Sequence, residues 1–310
     1  MHNKDKPYYP LSAYLRERYG CKVYKITLDI GLTCPNRDGT VATGGCLFCE
    51  TETLKPLGAN RESSGGNSSD TITASIEEQI EVGIERLVKR HGAKKYIAYF
   101  NINSSTYADV GFLKEAYSVA LDHPEIVGVA VSTRPDCVGE EVVELLAEIA
   151  RQKDVWVELG LQSASDSTLK LINRGHTVEA YERAVERLHS AGLKVCTHII
   201  AGLPGETEEE YLDTVRLLAS QSIWGVKLHQ LQIVAGTGME ELYKNGGVEP
   251  LTIEKYAGLV AKALALLPKE TVIHRLSGDL PDRFIVAPKW GANKFLIADK
   301  IAGVITESAL

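Results

Sequence analysis

Six segments of the chain combine β-branched and other apolar residues over the length of a strand and then break at glycine or polar residues. They span residues 23–30, 96–101, 127–133, 155–162, 194–201 and 226–234. Between these segments, apolar residues recur at helical spacing, as at Ile76, Ile80 and Ile84 before the second one. The pattern therefore predicts strands that alternate with helices.

Strands that alternate with helices of this length imply βαβ units and a parallel sheet. The right-handed crossover then leaves an open sheet or a barrel, and six units suit a partial barrel. We predict an α/β fold with a partial (β/α)6 TIM-like barrel at residues 23–250. A small basic extension (residues 1–22) precedes it, and a helix near 252–267 opens a closing segment at 251–310. In such barrels the chemistry lies at the carboxyl ends of the strands.

Composition and charge narrow the class of protein. The 310 residues carry 44% hydrophobic side chains and a net charge of -7, which mildly disfavours non-specific nucleic-acid binding. The first 25 residues nevertheless hold six Lys/Arg and five tyrosines, typical either of a phosphate-tracking segment or of an amphipathic helix with half-buried tyrosines. Because neither a targeting peptide nor an apolar stretch of about 20 residues is present, we expect a cytoplasmic protein without membrane contact. The polar stretch 51–71 is predicted to be a functional or disordered loop.

Three of the six cysteines lie within sixteen positions, at Cys34, Cys46 and Cys49. Soft thiolates in a reducing compartment indicate zinc, copper(I) or an iron-sulfur cluster. Structural zinc normally takes four ligands, and no fourth Cys or His follows within fifteen residues of Cys49. Three thiolates on a cubane of four irons leave one iron open for a small molecule. The cluster is therefore favoured, while a zinc site or unpaired core thiols remain the alternatives.

The run from Cys34 to Thr40, followed by Gly44-Gly45-Cys46-Leu47-Phe48-Cys49, resembles radical S-adenosylmethionine (radical SAM) proteins of the YhcC/YtqA family. The long interval between its first two cysteines, Cys34 and Cys46, is similar to that in the radical SAM domain of elongator acetyltransferase-like proteins. The resemblance implies a radical SAM barrel with one [4Fe-4S] cluster held by the three cysteines. It also implies reductive cleavage of SAM to a 5'-deoxyadenosyl radical, with a flavodoxin or ferredoxin-type electron donor. Phe48 would then lie near the adenine, or simply pack in the loop.

Polar residues at the other strand ends extend this resemblance. Many relatives have a glycine pair after this strand, and its backbone contacts the methionyl amino group of SAM. This chain has Asn101 and Asn103 there, either of which supplies that contact or forms an Asx turn. By the resemblance, Arg174 would pair with the SAM carboxylate through its planar guanidinium. The remaining residues expected to contact SAM are Ser132, Gln162, His198 and Gln232. Alone, His198 is more typical of a core histidine with its hydrogen bonds satisfied.

No catalytic acid or base is predicted beyond the cluster and SAM, because the cofactors carry the difficult step. The resemblance favours tRNA as substrate, at the C5 side chain of a wobble uridine, and acetyl-CoA chemistry is not expected. Six residues are candidates for substrate binding: Lys89, Arg90, Lys94, Lys95, Arg275 and Asp279. The alternatives are a radical SAM enzyme acting on a small metabolite or peptide, and a non-enzymatic iron-sulfur or zinc-binding module.

Overall fold

The computed structural model describes residues 6–50, 69–278 and 280–308. Its strands are β1 (Tyr9–Pro10), β2 (Val23–Leu28), β3 (Lys95–Phe100), β4 (Ile126–Thr133), β5 (Asp154–Gln162), β6 (Lys194–Ala201), β7 (Gly225–Gln230), β8 (Ile233–Val234), β9 (Val272–Arg275) and β10 (Ile285–Ala287). Its helices are α1 (Leu11–Tyr19), α2 (Ser69–His91), α3 (Val110–Asp122), α4 (Glu140–Ala150), α5 (Asp166–Leu171), α6 (Val178–Ser190), α7 (Glu208–Ser220), α8 (Gly238–Lys244), α9 (Ile253–Leu266) and α10 (Lys294–Ser308).

Eight parallel strands form one curled sheet in the order β1-β9-β7-β6-β5-β4-β3-β2, which confirms the predicted partial barrel. The six predicted strands are β2 to β7. The sheet gains β1 and β9 from segments predicted to be extensions, because strands of two and four residues are too short to show a period.

The last predicted strand, 226–234, was expected to be continuous but is divided in the structure. β7 ends at Gln230, where the backbone N–H of Leu231 donates to Ala201 O (2.9 Å). β8 then pairs antiparallel with β10 in a separate two-stranded sheet. β7 and β8 are both apolar, so the sequence did not indicate that β8 would pair with β10 and not continue the large sheet.

The two faces of the large sheet bury different side chains. The outer face packs against the helices in the main core, with Phe100, Val131 and Leu159 fully buried. The predicted helix near 252–267 is α9, whose Thr252 side chain accepts from the backbone N–H of Lys255 as an N-cap. Ile76 and Ile80 on α2 are also buried, as their spacing predicted.

The amino ends of β2 to β7, here called the barrel base, are closed by α1. Leu15 is buried among luminal side chains that include Ile97 and Trp156. Asp154, the first residue of β5, accepts from Arg18 Nε and Lys194 Nζ at 2.5 Å each and from Tyr19 OH at 3.0 Å. The interpretation of the N-terminal tyrosines as part of a half-buried amphipathic helix therefore holds for Tyr19.

Part of the predicted polar loop lies outside the described residues. Residues 51–68 are not described, and α2 begins at Ser69, inside the 51–71 range predicted as loop. Over the ranges that are described, we find no helix with the length and apolar character needed to cross a membrane.

Candidate metal centre at the barrel mouth

The carboxyl ends of β2 to β7, here called the barrel mouth, hold the three clustered cysteines. The loop after β2 that carries them is tied to the segment after α5: Leu47 N donates to Ile172 O (3.0 Å), and Asn36 Nδ2 donates to Asn173 O (2.6 Å). Asn173 Nδ2 returns a hydrogen bond to Gly45 O (2.7 Å). The thiol-bearing loop is thus fixed to the barrel by the protein's own hydrogen bonds.

Cationic and amide donors face the thiols. Arg174 Nη1 lies 3.4 Å from Cys46 Sγ and Asn36 Nδ2 lies 3.5 Å from the same sulfur. Cys46 is 7% exposed, so both donors act in a largely water-free site, where electrostatic interactions are strong. Burial raises the pKa of the Cys49 thiol, and Cys46 raises it further.

Arg37 is within electrostatic reach of all three cysteines. Burial lowers the pKa of its guanidinium, but Cys49, Cys34 and Cys46 outweigh burial and raise it. Its Nη2 also donates to Cys49 O at 3.0 Å. The three thiols therefore lie in the field of one guanidinium group, a cation that attracts thiolate ligands.

The donor set fits an iron-sulfur cluster. Three thiolates converge beside two guanidinium groups, and such N–H groups can donate to cluster sulfurs as they do to Cys46 Sγ. Arg174 Nε and Asn36 Oδ1 are buried and, within the described ranges, have no hydrogen-bond partner. Buried polar atoms are normally satisfied, so these two indicate that the site is completed by a bound group.

The end of β5 is bent toward this site. The register shifts between Gly160 and Gln162, and Gln162, 8% exposed, has a φ of 78° in the left-handed region. A Cβ at Gly160 would come within 2.7 Å of both Arg174 Nη2 and Gln162 Nε2. A side chain at position 160 would therefore force the ends of the Arg174 and Gln162 side chains to move, because the strand backbone passes so close to both.

Arg174 was expected to pair with the SAM carboxylate, and the structure gives it protein partners as well. Its Nη2 donates to Gly160 O at 2.7 Å while Nη1 faces Cys46 Sγ. The same carbonyl contacts His176 Nε2 at 3.1 Å. Burial, together with Arg174 and Arg134, lowers the pKa of His176 to about 3, so this histidine is neutral.

Three other predicted SAM contacts reach the mouth from separate elements. Asn101 follows β3, and Ser132 is half-buried near the end of β4, in register with Glu158. Phe48 is half-buried against an apolar cluster that includes Ile200 and Leu203. Their roles toward SAM stay predictions. Asn103 donates from Nδ2 to Leu32 O (2.8 Å), which ties the end of β3 to the cysteine loop.

A buried polar cluster below the mouth was not recognised from the sequence. Glu158 is fully buried and accepts from Lys25 Nζ (2.6 Å), Tyr99 OH (2.6 Å), Trp156 Nε1 (2.9 Å) and Lys227 Nζ. Burial raises the pKa of Glu158, but Lys227 and Lys25 outweigh it and hold it well below the usual carboxyl value. One signal in the sequence could have revealed this cluster. Trp156, which carries an N–H donor, and Glu158 are two residues apart in an apolar strand, and alternate residues of a strand share a face.

His198 belongs to this Glu158 cluster. Its Nε2 lies 3.0 Å from Glu158 Oε2, and burial, followed by Lys227, lowers its pKa to about 4. Ligand atoms of Glu158, Cys196 and His198 lie within 4.8 Å of one another, the spacing of a metal site. The two lysines on the carboxylate oppose a further cation, so we do not assign a metal there.

The predicted substrate-binding residues lie at different levels of the barrel. Lys89 and Arg90 lie in the last turn of α2, and Lys94 and Lys95 lie at the start of β3, all at the base. Arg275 ends β9 and, through its charge, lowers the pKa of Lys227 and His198, although burial lowers both more. Asp279 lies outside the described residues.

Comparison with known proteins identifies the class. Residues 34–218 match the Radical SAM superfamily, and residues 223–306 match the Radical_SAM C-terminal domain. The chain therefore belongs to the radical SAM superfamily, whose members are enzymes that use an iron-sulfur cluster and SAM.

Relatives narrow the family further. The chain is 38% identical over 299 residues to YtqA of Bacillus subtilis, covering 96% of this chain and 89% of that protein, which confirms the YhcC/YtqA resemblance. It is 28% identical over 269 residues to a tRNA uridine(34) acetyltransferase of Dehalococcoides mccartyi, covering 79% of this chain and 58% of that protein. Its fold matches that of Elp3 from Methanocaldococcus infernus with a TM-score of 0.67, at 20% identity, covering 93% of this chain and 63% of that one.

Proposed function

We propose that this radical SAM enzyme modifies tRNA at the C5 side chain of a wobble uridine. The observation that carries the proposal is its similarity, across 79% of the chain, to a relative named as acting on uridine 34 of tRNA. The similarity covers most of the chain, and the barrel mouth provides a site at which a nucleotide can meet the cofactors. Reduction by a flavodoxin or ferredoxin-type donor belongs to the same proposal.

The roles of the site residues follow from their positions. When bound, the [4Fe-4S] cluster and SAM supply one-electron cleavage of SAM and so the abstraction of hydrogen from unactivated carbon. Cys34, Cys46 and Cys49 would hold the cluster, and Arg174 and Asn36 donate to Cys46 Sγ. We assign SAM to the surrounding elements, at Phe48, Asn101, Ser132, Gln162 and His198, and we assign Gln232, the sixth predicted contact, to the substrate.

The protein also limits the access of water to the mouth from the base of the barrel. The helix α1 and the Asp154 interactions close the base, and the Glu158 cluster fills the lumen above them. A reactive carbon species formed at the mouth is then approached only from the mouth side, where the substrate enters. Exclusion of water protects such a species from side reactions.

The distribution of charge supports tRNA contact in specific places. The net charge of -7 opposes non-specific phosphate binding, so affinity must come from local cations. Arg275 lies opposite Lys227, beside the Glu158 cluster below the mouth, whereas Lys89, Arg90, Lys94 and Lys95 lie at the base. Since β3 is six residues long, the base cations are about 20 Å from the mouth and would contact parts of a tRNA remote from the modified nucleotide.

Mass spectrometry of tRNA nucleosides from a deletion strain tests the proposal. We expect one modified wobble uridine to disappear and its precursor to accumulate. Plasmid-borne wild type should restore the profile, and a Cys46→Ala variant should not. An unchanged uridine profile would remove the tRNA proposal and leave a radical SAM enzyme that acts on a small metabolite or a peptide.

A further inference from the structure

A cavity lies at the mouth, between the end of β7 and the start of α10. Its volume is about 290 Å³, close to the lower end of the range of about 300–1,000 Å³ in which small ligands bind. Six of its lining residues carry the chemistry: Gln230, Gln232, Trp290, Asn293, Lys294 and Phe295. We propose that this cavity binds the pyrimidine base of the substrate nucleotide, an inference that rests on the proposed action on tRNA.

The cavity is connected to the cysteine loop by the backbone. Gln232 lies between β7 and β8, and the next helix, α8, begins where Met239 N donates to Leu47 O at 2.8 Å. Leu47 is the residue between Cys46 and Phe48. A base held beside Gln232 is therefore held by a segment fixed to the metal-binding loop.

The amides that line the cavity offer the hydrogen bonds that a pyrimidine requires. Gln230 Oε1 accepts from Gly278 N (2.8 Å), and Asn293 Oδ1 accepts from Phe295 N (3.0 Å), so each amide keeps its NH2 group for a ligand. Neither orientation can be reversed, because the backbone groups are donors. Gln232 has no hydrogen-bond partner among the described residues and offers both a donor and an acceptor.

Two NH2 donors and one amide that can accept match the edge of uracil, which has two carbonyl oxygens and one N–H. Gly278 lies against this edge, and a Cβ there would come within 2.1 Å of Gln232 Oε1 and displace the amide. The wall of the cavity is therefore shaped around the Gln232 amide.

Aromatic rings supply the stacking surface. Trp290 is held by its Nε1 donating to Leu251 O (3.0 Å) and by the ring of Tyr256, 5.3 Å away. Phe295 is 69% exposed at the start of α10, although burial is usual for phenylalanine. Bases of single-stranded RNA loops are splayed out and stacked on such side chains.

The charges at the rim favour a base rather than a phosphate inside the cavity. Asp282 also lines it, and its carboxylate repels an anion. Lys294 is exposed beside Phe295, with Nζ 5.9 Å from that ring, where it can meet the backbone of a nucleotide whose base is inside. We therefore assign the base to the cavity and the phosphate to its outside.

The test measures binding of the reconstituted holoenzyme, with SAM, to two synthetic anticodon stem-loop RNAs. One carries uridine at the wobble position and the other an abasic site there. Phe295→Ala removes a stacking surface, and Asn293→Asp keeps an N-cap acceptor while it removes the NH2 donor. The matched control is Leu296→Ala, since Leu296 is 54% exposed on the same helix but does not line the cavity.

We expect the wild type and the control to prefer the uridine RNA. Phe295→Ala should weaken binding of the uridine RNA about tenfold, the size of a lost base stack, and leave the abasic RNA unchanged. Asn293→Asp should weaken binding of the uridine RNA more than that of the abasic RNA, since its new carboxylate repels both RNAs and its lost NH2 group affects only the first. Equal weakening of both RNAs, or an intact preference in both variants, would overturn the assignment while the tRNA proposal stands. A wild type that binds neither RNA would overturn both.

Discussion

The base and the mouth of the barrel both carry buried charge, yet they satisfy it differently. At the base, Asp154 has four partners from the protein, namely Arg18, Lys194, Tyr19 and Tyr14. At the mouth, Arg174 Nε and Asn36 Oδ1 are buried without a partner in the described part of the chain. Since an unsatisfied buried group costs about 1–3 kcal/mol, these two atoms at the mouth are costly until a ligand binds, whereas the Asp154 carboxylate at the base is satisfied by the protein.

This difference indicates that the buried charge at the base stabilises the fold, whereas the buried charge at the mouth belongs to a binding site. Strands β2 to β7 run from one to the other, so each strand contributes a closed end and an open end. Pre-organised polar groups are what a site needs in order to hold a reactive cofactor in place. Substitutions at the base should therefore change stability, and substitutions at the mouth should change cofactor content and chemistry.

The largest effect is expected from the cysteines at the mouth. Replacing Cys34, Cys46 or Cys49 by Ala should abolish iron binding and 5'-deoxyadenosine formation, because a cluster ligand is lost. The measurements are iron and sulfide content after anaerobic reconstitution, followed by chromatography of the nucleoside product. Cys21, near the start of β2, is the control, and Cys21→Ala should keep both. Equal loss of iron in Cys21→Ala would break the distinction between the two ends.

Glu158 lies between the two ends, and Glu158→Gln should destabilise the fold by about 3–5 kcal/mol, because Lys25 and Lys227 lose their buried counter-ion. Urea unfolding gives this value. The double variant with Lys227→Met should recover part of it.

The same carboxylate predicts a pH dependence. Its pKa is depressed in the folded state, so the stabilisation is present above the usual carboxyl pKa and is lost as the pH falls below that value. Unfolding free energy measured against pH should lack this acid component in Glu158→Gln. An identical acid profile in both proteins would mean that Glu158 titrates normally.

At the base, Asp154→Asn should cost about 1.5–3 kcal/mol of stability, because charged hydrogen bonds from Arg18 and Lys194 are weakened. Below its unfolding transition the variant should form 5'-deoxyadenosine at the wild-type rate. Arg16 lies on α1, as Arg18 does, and Arg16→Gln is the control for surface charge. This variant should leave stability and the rate of 5'-deoxyadenosine formation unchanged. A loss of turnover in folded Asp154→Asn would contradict the separation of the two ends.

The smallest effect is expected from Arg174→Gln at the mouth, which removes a positive charge and a donor to Cys46 Sγ. We expect the midpoint potential of the cluster to become more negative by about 60 mV, a tenfold change for a one-electron couple. A redox titration followed by electron paramagnetic resonance measures it at equal iron content. Lys170→Gln removes an exposed charge nearby and should leave the potential unchanged. If both variants shift the midpoint potential equally, the effect of Arg174 comes from its long-range charge and not from its contact with Cys46 Sγ.

Several parts of this molecule were accessible from the sequence. The apolar, β-branched runs that break at glycine or polar residues placed β2 to β7, and the last helix predicted near residues 252–267 is α9. The Cys34, Cys46 and Cys49 spacing with its missing fourth ligand favoured the cluster, which superfamily membership supports.

Other parts were not accessible, because they depend on which strands are neighbours. Lys25, Tyr99, Glu158 and Lys227 lie on four strands, and each alone is a polar residue in an apolar run. Their meeting depends on the register across the whole sheet, such as Lys25 opposite Ile97 and Ser132 opposite Glu158. The pairing of β1 with β9 joins residues more than 250 positions apart, for which local periodicity carries no information.

The sequence by itself determined the order of strands and helices, the end of the barrel at which the chemistry lies, and the three cysteines. These follow from short-range spacing, because side-chain direction repeats every two residues in strands and every 3.6 in helices. Only the tertiary structure decided that Arg174 faces Cys46, that Glu158 is neutralised by two lysines, and that Lys89 to Lys95 lie away from the mouth. Those contacts depend on sheet curvature and register, which no single segment specifies.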